Sequence, residues 1–231
     1  LGQLQEDLNL DVAPRRIEAF DISHLGGTNT VASMVCFIDT KPRKTEYRKF
    51  NVKTVSGIDD FAAMREVVYR RYKRVKKEEK SFPDLILIDG GKGQLSMALS
   101  ALRELGLDYI PVIGLAKRLE EVFVPGNPEA QSIHKQSLGL ILLRRIRDEA
   151  HRFAITFQRQ KRNKDMVSSV FSPIPGMGKK RLEKLFRTFD GLEAISKLTP
   201  EVINGETGIP MNVCEEIQKV ASAFPKSHNK T

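Results

Sequence analysis

The chain has 231 residues, and its 40% hydrophobic and 29% charged content is typical of a soluble globular protein. No apolar run approaches the roughly 20 residues that a membrane helix needs, and the first residues lack the basic-then-apolar order of a signal peptide. A formal net charge of +9 favours a polyanionic partner, although many basic proteins bind nothing specific.

The cysteines and the start of the chain give two further expectations. Cys36 and Cys214 lie far apart and match no metal or disulfide spacing, which favours the reducing cytoplasm. The chain begins with Leu1 rather than methionine, which favours a fragment of a longer protein. Residues 1–14 are polar and reach Pro14, so they are predicted to be a linker from an upstream part.

Three strands joined by short turns are predicted to form an antiparallel meander at the start of the first domain. They cover about residues 16–24, 30–39 and 45–52. Because side chains alternate along a strand, Asp21 falls on a mostly apolar face of the first one. It is the charged member of that face.

A long, charged helix is predicted after the meander. The acidic residues of the segment 57–60 suit its N-terminal dipole, and apolar residues then recur at helical spacing from Phe61 to Val75. A plain helix start is therefore the simpler explanation of Asp60, which could also lie near a cleft.

The stretch from Phe82 to Gln94 combines an apolar strand with a glycine-rich turn. Leu85–Ile88 is a continuous apolar run, which is typical of a strand covered on both faces, and it ends on Asp89. Open α/β sheets bind ligands at the carboxyl ends of their strands. The glycines around Lys92 allow close approach of another group, but an ordinary strand-to-helix turn explains the same residues. The run is not a P-loop.

The rest of the first domain is predicted to be a crossover followed by a C-terminal helix. A helix over 94–105 and a strand over 110–115 fit a parallel crossover. A short strand over 121–124 and an exposed turn over 125–128 follow, and then a helix over about 136–157. Polar residues three or four apart share one stripe of that last helix: Arg144, Arg147, Asp148 and His151.

This order of elements is that of a ribonuclease H-like fold, an α/β mixed sheet with flanking helices. Its first and fourth strands are neighbours, so Asp21 and Asp89 would point into one cleft, with His151 beside them. Two carboxylates and one imidazole suit Mg²⁺ or Mn²⁺ better than structural zinc. The alternatives are a hydrogen-bonded Asp21 inside its strand and a surface histidine at 151.

The C-terminal part is predicted to be a basic linker over 158–168, a small all-α domain over 169–224 and a tail over 225–231. Gly176 and Gly178 precede a helix that begins with Lys179 and Lys180, a pattern typical of a helix–hairpin–helix unit that offers backbone N–H groups and positive charge to phosphates. A second copy around Gly208 has Pro210 at the second glycine position, which removes a donor. That hairpin could serve packing alone, and a small helical bundle without a DNA role is the alternative for both.

Four segments together resemble the C-terminal half of UvrC, the bacterial excision-nuclease subunit of nucleotide excision repair. They lie in the same order as in that family: RIEAFDISH, EYRKFNVKTVSGIDDFAAMREVVYRRY, PDLILIDGGKGQL and IRDEAHRFAI. The resemblance as a whole covers nearly the whole chain after residue 14. The resemblance implies an endonuclease that cuts the damaged strand on the 5′ side of a lesion. It also implies a tandem helix–hairpin–helix tail.

The resemblance further implies roles for individual residues and partners. Asp21, Asp89 and His151 would form the catalytic metal centre, and Asp60 is also implicated in the family. Independently of the resemblance, two aspartates and one histidine are few ligands for two ions, so one stably bound Mg²⁺ or Mn²⁺ is expected. From their positions beside these residues, Lys92 and Arg147 are expected to hold the DNA backbone, although Lys92 could also be simply solvent-exposed. Damaged duplex, bubble or junction DNA is the expected substrate, and a UvrB–DNA complex is the partner expected through an N-terminal part of the full-length protein.

Two rival functions fit parts of the same pattern. A different ribonuclease H-like nuclease, such as a junction resolvase, would share the carboxylates, although the UvrC-like segment between Glu46 and Met64 argues against it. A DNA-binding module without catalysis would share the basic hairpins. Loss of cutting with retained binding on replacement of Asp21 or Asp89 separates these possibilities.

Overall fold

The computed structural model describes residues 1–25, 29–52, 59–116, 121–127 and 129–223, without the side chains of residues 24, 25, 29 and 162. Parts of three predicted features lie outside the described residues: the turn at 26–28, the helix start at 57–58 and Pro128 of the exposed turn. The tail at 225–231 and the last residue of the predicted small domain also lie outside them. The chain divides into two compact units, Leu1–Gln158 and Arg159–Thr231.

In the described part of the first unit, seven strands form one mixed sheet. Its strands are β1 Arg16–Leu25, β2 Asn29–Ile38, β3 Lys41–Pro42, β4 Arg48–Asn51, β5 Leu85–Asp89, β6 Val112–Leu115 and β7 Val122–Phe123. Its helices are α1 Gly2–Leu8, α2 Asp60–Lys77, α3 Lys92–Glu104 and the first part of α4 Leu138–Phe171. The second unit continues with α5 Lys179–Thr188, α6 Leu192–Ser196, α7 Pro200–Thr207 and α8 Met211–Ala223.

The sheet has the predicted ribonuclease H-like arrangement. Its strand order is β3-β2-β1-β5-β6-β7, with β4 paired to β2. β1 is antiparallel to β2 and parallel to β5, while β5 and β6 are also parallel. The predicted third strand over 45–52 is shorter than expected, because a 3₁₀ turn occupies Lys44–Glu46 before β4.

Helices cover both faces of the sheet, and each face has its own apolar core. Phe20 of β1 belongs to the core under α2 and α3, whereas Ile17 and Ala19 belong to the core under α1 and α4. By the alternation of the strand, Asp21 therefore lies on the face that α4 covers. Within the described residues, no helix is long and apolar enough to cross a membrane.

Residues 1–14 differ from the predicted linker, because their first part is a helix that packs on the sheet. Leu4 and Leu8 of α1 are buried in the core with α4. Their spacing of four residues puts both on one side of the helix. The Gln131 side chain also donates a 2.6 Å hydrogen bond to the Asp7 carbonyl, so tertiary contacts hold α1 in place.

The segment 158–168 also differs from the predicted linker, because it is helical. Helix α4 continues from Leu138 to Phe171, past the end predicted at Phe157. The segment is polar, but it contains neither glycine nor proline, and Arg, Lys and Gln are good helix formers. Val167 near the end of the segment and Phe171 just beyond it are buried in the apolar core of the second unit.

Candidate active site

Asp21 is a carboxylate buried inside the sheet, with 2% of its surface exposed. It lies opposite Ser33 of β2. Two residues further along β1, the Ser23 hydroxyl donates a hydrogen bond of 3.2 Å to Asp21 Oδ2. That donor fixes one oxygen in a position facing α4.

Asp89 lies at the carboxyl end of β5, next to Asp21, and is 7% exposed. The parallel register pairs Phe20 with Ile88, so the next residue on each strand is an aspartate. The chain then turns sharply against β6. A Cβ added to Gly114 would lie 2.8 Å from the Gly90 carbonyl oxygen, so a glycine on β6 allows this turn to pack closely.

His151 reaches the two aspartates from α4. Its Nδ1 lies 3.5 Å from Asp21 Oδ2, and 45% of its side chain is exposed. The neighbouring turn of α4 is tied to the sheet, because the Ser33 hydroxyl donates a 3.1 Å hydrogen bond to the Ala150 carbonyl. The histidine therefore lies at the open side of a site whose floor is two buried carboxylates.

The three side chains have a geometry that a divalent cation fits. One possible ligand atom from each of Asp21, Asp89 and His151 lies within 4.8 Å of the others. An octahedral Mg²⁺ with ligands at about 2.1 Å holds its ligand atoms roughly 3 to 4.2 Å apart, so small side-chain adjustments suffice. Carboxylate oxygens with one imidazole nitrogen match Mg²⁺ or Mn²⁺. We call this group the aspartate cluster.

A second group, Glu18, Cys36 and Glu46, is equally compact, but arginine side chains already pair with its carboxylates. Glu18 accepts hydrogen bonds from Arg71, at 2.7 and 3.1 Å, and from the Tyr72 hydroxyl at 3.1 Å. Arg16 donates to Glu18 at 2.7 Å and also to Glu46. We call this group, with its two arginines, the glutamate network.

Burial also makes Cys36 a poor metal ligand. It raises the pKa of the Cys36 thiol to about 12. The thiolate is the form that binds metals, and a neutral thiol between two carboxylates that are already paired with arginine offers little to an ion. The glutamate network is therefore a buried ion-pair network rather than a metal site.

Three other residues were singled out in the sequence. Asp60 and Arg147 lie on the helices predicted for them, whereas Lys92, predicted in the turn before a helix over 94–105, is already helical. Asp60 is the first residue of α2, whose N-cap is Asp59, and it is not part of the aspartate cluster. Lys92 is the first residue of α3, and its ammonium lies 5.5 Å from the centroid of the Phe123 ring. The Arg147 guanidinium bonds the adjacent Asp148 at 3.0 Å.

The sequence pattern gave no reason to single out Lys49, which lies on the same sheet face as the aspartate cluster. The register pairs Lys49 with Ser33, which in turn pairs with Asp21. Its ammonium lies 5.3 Å from the centroid of the Phe153 ring and 5.1 Å from that of Phe157. Lys49 lies beside Ser33 and Asp21 only because of the register in which β4, β2 and β1 pair, and a single sequence does not reveal that register.

The second unit contains two similar helix–turn–helix connections. Before α5, Gly176 has a positive φ of 85°, Met177 is buried, and Gly178 is the helix N-cap. The exposed Lys179 and Lys180 begin the helix.

The second connection, before α8, repeats this backbone pattern with different chemistry. Gly208 has a φ of 61°, and Ile209 is buried. Pro210 accepts the first helical hydrogen bonds through its carbonyl, from the amides of Val213 and Cys214. No lysine or arginine lies in the first turn of α8, which begins Met-Asn-Val.

Comparisons with known proteins place the chain in a family whose domain description agrees with this fold. The family model described as the UvrC RNase H endonuclease domain matches residues 5–155. The chain is 51% identical over 208 residues to the UvrABC system protein C of Prosthecochloris aestuarii, which covers 90% of this chain and 34% of that protein. It is 45% identical over 230 residues to the protein of the same name from Flavobacterium psychrophilum, which covers 99% of this chain and 38% of that protein.

The chain therefore belongs to the UvrC family. It spans about a third of the length of the curated relatives that it matches. Among solved structures, Ciona intestinalis endonuclease V in complex with an inosine-containing DNA is similar over 64% of this chain and 65% of that chain, at 18% identity and a TM-score of 0.37. A likeness this distant does not indicate function.

Proposed function

We propose that this chain is a metal-dependent DNA endonuclease that makes the 5′ incision beside a lesion in nucleotide excision repair. The observation that carries the proposal is the aspartate cluster: two buried carboxylates and a half-exposed imidazole meet at the carboxyl end of a parallel strand. Membership of the UvrC family supports the same reaction.

In this proposal Asp21, Asp89 and His151 hold one divalent ion, Mg²⁺ or Mn²⁺. The ion, when bound, supplies a Lewis acid that activates water and neutralises charge on a phosphodiester. Ser23 keeps Asp21 oriented through its hydrogen bond. The exposed side of His151 can hold or move a proton at a ring nitrogen, because it is open to solvent. Asp60, the first residue of α2, is a further candidate for this site.

The DNA contacts belong in this proposal to two regions. Lys92 and Arg147 lie three residues after Asp89 and four residues before His151, and they supply positive charge to the backbone of the strand being cut. In the second unit, Gly176, Gly178, Lys179 and Lys180 form a helix–hairpin–helix contact with phosphates. Gly208 belongs to the second hairpin, which is neutral in its first helical turn and contributes less to DNA binding.

A UvrB–DNA complex is the proposed partner. The relatives are called UvrABC system protein C, and this chain matches about a third of their length. We assign the UvrB contact to the part of the relatives that this chain does not match. The substrate is then damaged duplex, or a bubble or junction that mimics it.

The test is cleavage of labelled bubble and junction DNA by the chain with Mg²⁺ or Mn²⁺. Asp21→Asn and Asp89→Asn should each lower the single-turnover rate by at least about 10³-fold, because an ion that stabilises the transition state by several kcal/mol is lost. DNA binding should survive. The matched control is Asp108→Asn, which neutralises an exposed aspartate beyond α3.

Three outcomes would contradict this function. Cutting that persists in both aspartate variants would show that the cluster is not the catalytic centre. Binding by the wild-type chain without cutting in either metal would favour the binding module instead. Preferential cutting of four-way junctions over lesion-containing bubbles would favour a junction resolvase.

The hairpin assignment has a separate test. Replacing Lys179 and Lys180 together by glutamine should weaken DNA binding and reduce the salt dependence of log K by about two units, one for each phosphate that the variant no longer neutralises. The matched control replaces Lys197 and Lys219, two exposed lysines of the same unit. Equal affinity and equal salt slopes in the two double variants would refute the assignment.

A further inference from the structure

A cavity of about 600 Å³ opens beside the first turns of α4, between that helix and the segment that joins β7 to it. Three basic side chains line it: His134 and Lys135 from the connecting segment, and Arg144 from α4. Among the described residues that line it, Glu121 alone is acidic. We call the cavity with its three basic residues the basic cavity. It lies entirely within the first unit.

The basic cavity lies on the same flank of α4 as His151. Arg144, Arg147 and His151 follow one another at spacings of three and four residues, which places them in one line along the helix. An α-helix rises 1.5 Å per residue, so Arg144 and His151 lie about 10 Å apart along its axis. Arg147, between them, has only 13% of its side chain exposed and therefore does not project from the surface. One ligand that follows this flank can contact both His151 and the cavity.

Hydrogen bonds hold the walls of the cavity in place. The Arg144 guanidinium donates a 3.2 Å bond to the Lys135 carbonyl, which ties the connecting segment to α4. The Gln131 backbone amide donates a 2.7 Å bond to the Val122 carbonyl, and the Gln131 side chain donates to the Asp7 carbonyl at 2.6 Å. The segment is therefore anchored to α1, β7 and α4 before any ligand binds, which lowers the entropic cost of binding.

The basic side chains of the cavity are hydrogen-bond donors that suit an anion. His134 accepts a 3.3 Å hydrogen bond from the Gln136 amide at Nδ1. In the neutral imidazole the proton is then on Nε2, which can donate to a ligand. Lys135 is exposed and offers its ammonium, and the Arg144 guanidinium offers further donors. Charged donors of this kind form the strong hydrogen bonds by which proteins hold phosphates.

A backbone phosphate of DNA is the anion that this position fits. Basic side chains bind DNA phosphates without regard to sequence, and such contacts fix the register of a protein on its DNA. One strand of DNA rises about 3.4 Å per nucleotide, so the separation of Arg144 and His151 along α4 corresponds to roughly three nucleotides. A DNA molecule with one phosphate at the aspartate cluster therefore has another within reach of the cavity.

We propose that the basic cavity binds a backbone phosphate of the DNA within a few nucleotides of the scissile phosphate and so fixes the register of the DNA at the aspartate cluster. Lys135 and Arg144 pair with this phosphate, and His134 donates a hydrogen bond to it. This inference rests on the proposed nuclease function for the position of the scissile phosphate. The residues of the cavity position the DNA and take no part in the chemical step.

The first measurement is the affinity of the chain for bubble DNA, with Ca²⁺ in place of Mg²⁺ so that the DNA stays uncut. Lys135→Gln and Arg144→Gln should each weaken binding by roughly 5- to 10-fold near 0.1 M salt and lower the salt dependence of log K by about one unit, because each removes a charge that neutralises a phosphate. With Mg²⁺, the loss should appear in the DNA concentration at half-saturation rather than in the single-turnover rate at saturation.

The second measurement locates the phosphate. A neutral methylphosphonate replaces one backbone phosphate at a time, on either strand, around the mapped cut. In the unaltered chain, a replacement within about five nucleotides of the cut should weaken binding, because the cavity loses its charged ligand. In Lys135→Gln and Arg144→Gln the same replacement should have little further effect, since changes to two groups in contact are not additive.

The controls separate this proposal from general charge and from a purely structural role. Lys77→Gln and Arg103→Gln remove the same charges from exposed residues at the ends of α2 and α3, on the opposite face of the sheet, and should leave binding unchanged. Lys135→Arg should keep the affinity, because it keeps the positive charge. Thermal unfolding of Lys135→Gln should match that of the unaltered chain, since this side chain is exposed.

The two proposals fail in different ways. Unchanged affinity and salt dependence in Lys135→Gln and Arg144→Gln would overturn the basic cavity, whatever the cutting assay shows. Equal weakening by Lys77→Gln and Arg103→Gln would overturn it too, because general charge would then explain the loss. So would a methylphosphonate effect confined to positions farther from the cut. Cutting that survives Asp21→Asn refutes the nuclease assignment instead and leaves the binding measurement valid.

Discussion

Strand β1 carries two buried carboxylates only three residues apart, and they have opposite surroundings. Glu18 faces α2, where two arginines and a tyrosine hydroxyl donate four hydrogen bonds to it. Asp21 faces α4, where it accepts a hydrogen bond from Ser23 and lies beside a second carboxylate and an imidazole. The protein supplies positive charge to one carboxylate and further possible ligand atoms to the other.

The difference between the two groups teaches how a buried acid can be assigned to structure or to function. A buried charge is costly unless it is paired. The glutamate network meets this requirement internally, because arginines neutralise it. The aspartate cluster instead places two acidic groups near each other, an arrangement that a bound cation relieves. Glu18 and Asp21 are equally buried, so the partners alone distinguish them.

The largest effect expected from this comparison is on stability. Glu18→Gln leaves the Arg71 guanidinium buried without its counter-ion and should lower the free energy of unfolding by about 3–5 kcal/mol. Asp21→Asn removes one of two neighbouring carboxylates and should leave the metal-free protein equally stable or slightly more stable. Urea unfolding of both variants without divalent ions measures the difference.

The double variant Glu18→Leu with Arg71→Met is the control for the first result. Replacing both members of a buried ion pair by apolar residues is often neutral, so much of the lost stability should return. The comparison fails if Asp21→Asn destabilises the metal-free protein as much as Glu18→Gln does, because Asp21 would then serve a structural role of the same kind.

Much of the fold could be predicted because its signals are local. The apolar run Leu85–Ile88 and the glycine turn after it predicted a central strand, and the order of elements predicted the mixed sheet in which β1 and β5 are neighbours, which the structure confirms. Two predicted linkers were wrong at the level of local structure. Residues 2–8 and 158–168 are mostly polar, but packing of the few apolar side chains of α1 and the continuous helix α4 determine their conformation.

The candidate site was predictable to the extent that single residues stand out. Asp21 is an acid on an apolar strand face, and the structure brings it together with Asp89 and His151. The pairing of Glu18 with Arg71, 53 residues away along the chain, was not predictable, because it depends on how α2 packs on the sheet. The position of Lys49 could not be predicted either, because its alignment with Ser33 and Asp21 depends on strand register.

The next effect concerns metal binding. Mg²⁺ or Mn²⁺ at about 100 times its dissociation constant should raise the free energy of unfolding by about 2.7 kcal/mol, because the ion binds the folded state alone. The gain should vanish in Asp89→Asn and persist in Cys36→Ala, which alters the glutamate network. Chemical unfolding at several metal concentrations measures both. If the stabilisation by metal is lost in Cys36→Ala and kept in Asp89→Asn, the glutamate network is the metal site and the aspartate cluster is not.

The smallest effect is an alkaline loss of stability that comes from the glutamate network. Burial raises the Cys36 pKa from 9.0 to about 12 in the folded protein, so the unfolded thiol ionises first and the free energy of unfolding falls as pH rises through this window. The slope from one such group approaches about 1.4 kcal/mol per pH unit. In Cys36→Ala, the free energy of unfolding should depend less on pH between pH 9 and 10. This range lies below the ordinary pKa of tyrosine, so tyrosine ionisation contributes little.

This measurement also tests whether the glutamate network is closed to metals. It is best made in a Cys214→Ala background, because burial raises the pKa of that thiol as well. A metal bound to Cys36 would hold the thiol deprotonated and would remove the alkaline slope. If the free energy of unfolding decreases equally with pH with and without Zn²⁺, the glutamate network binds no metal. If Zn²⁺ abolishes this decrease, Cys36 binds the ion, and the glutamate network is not purely structural.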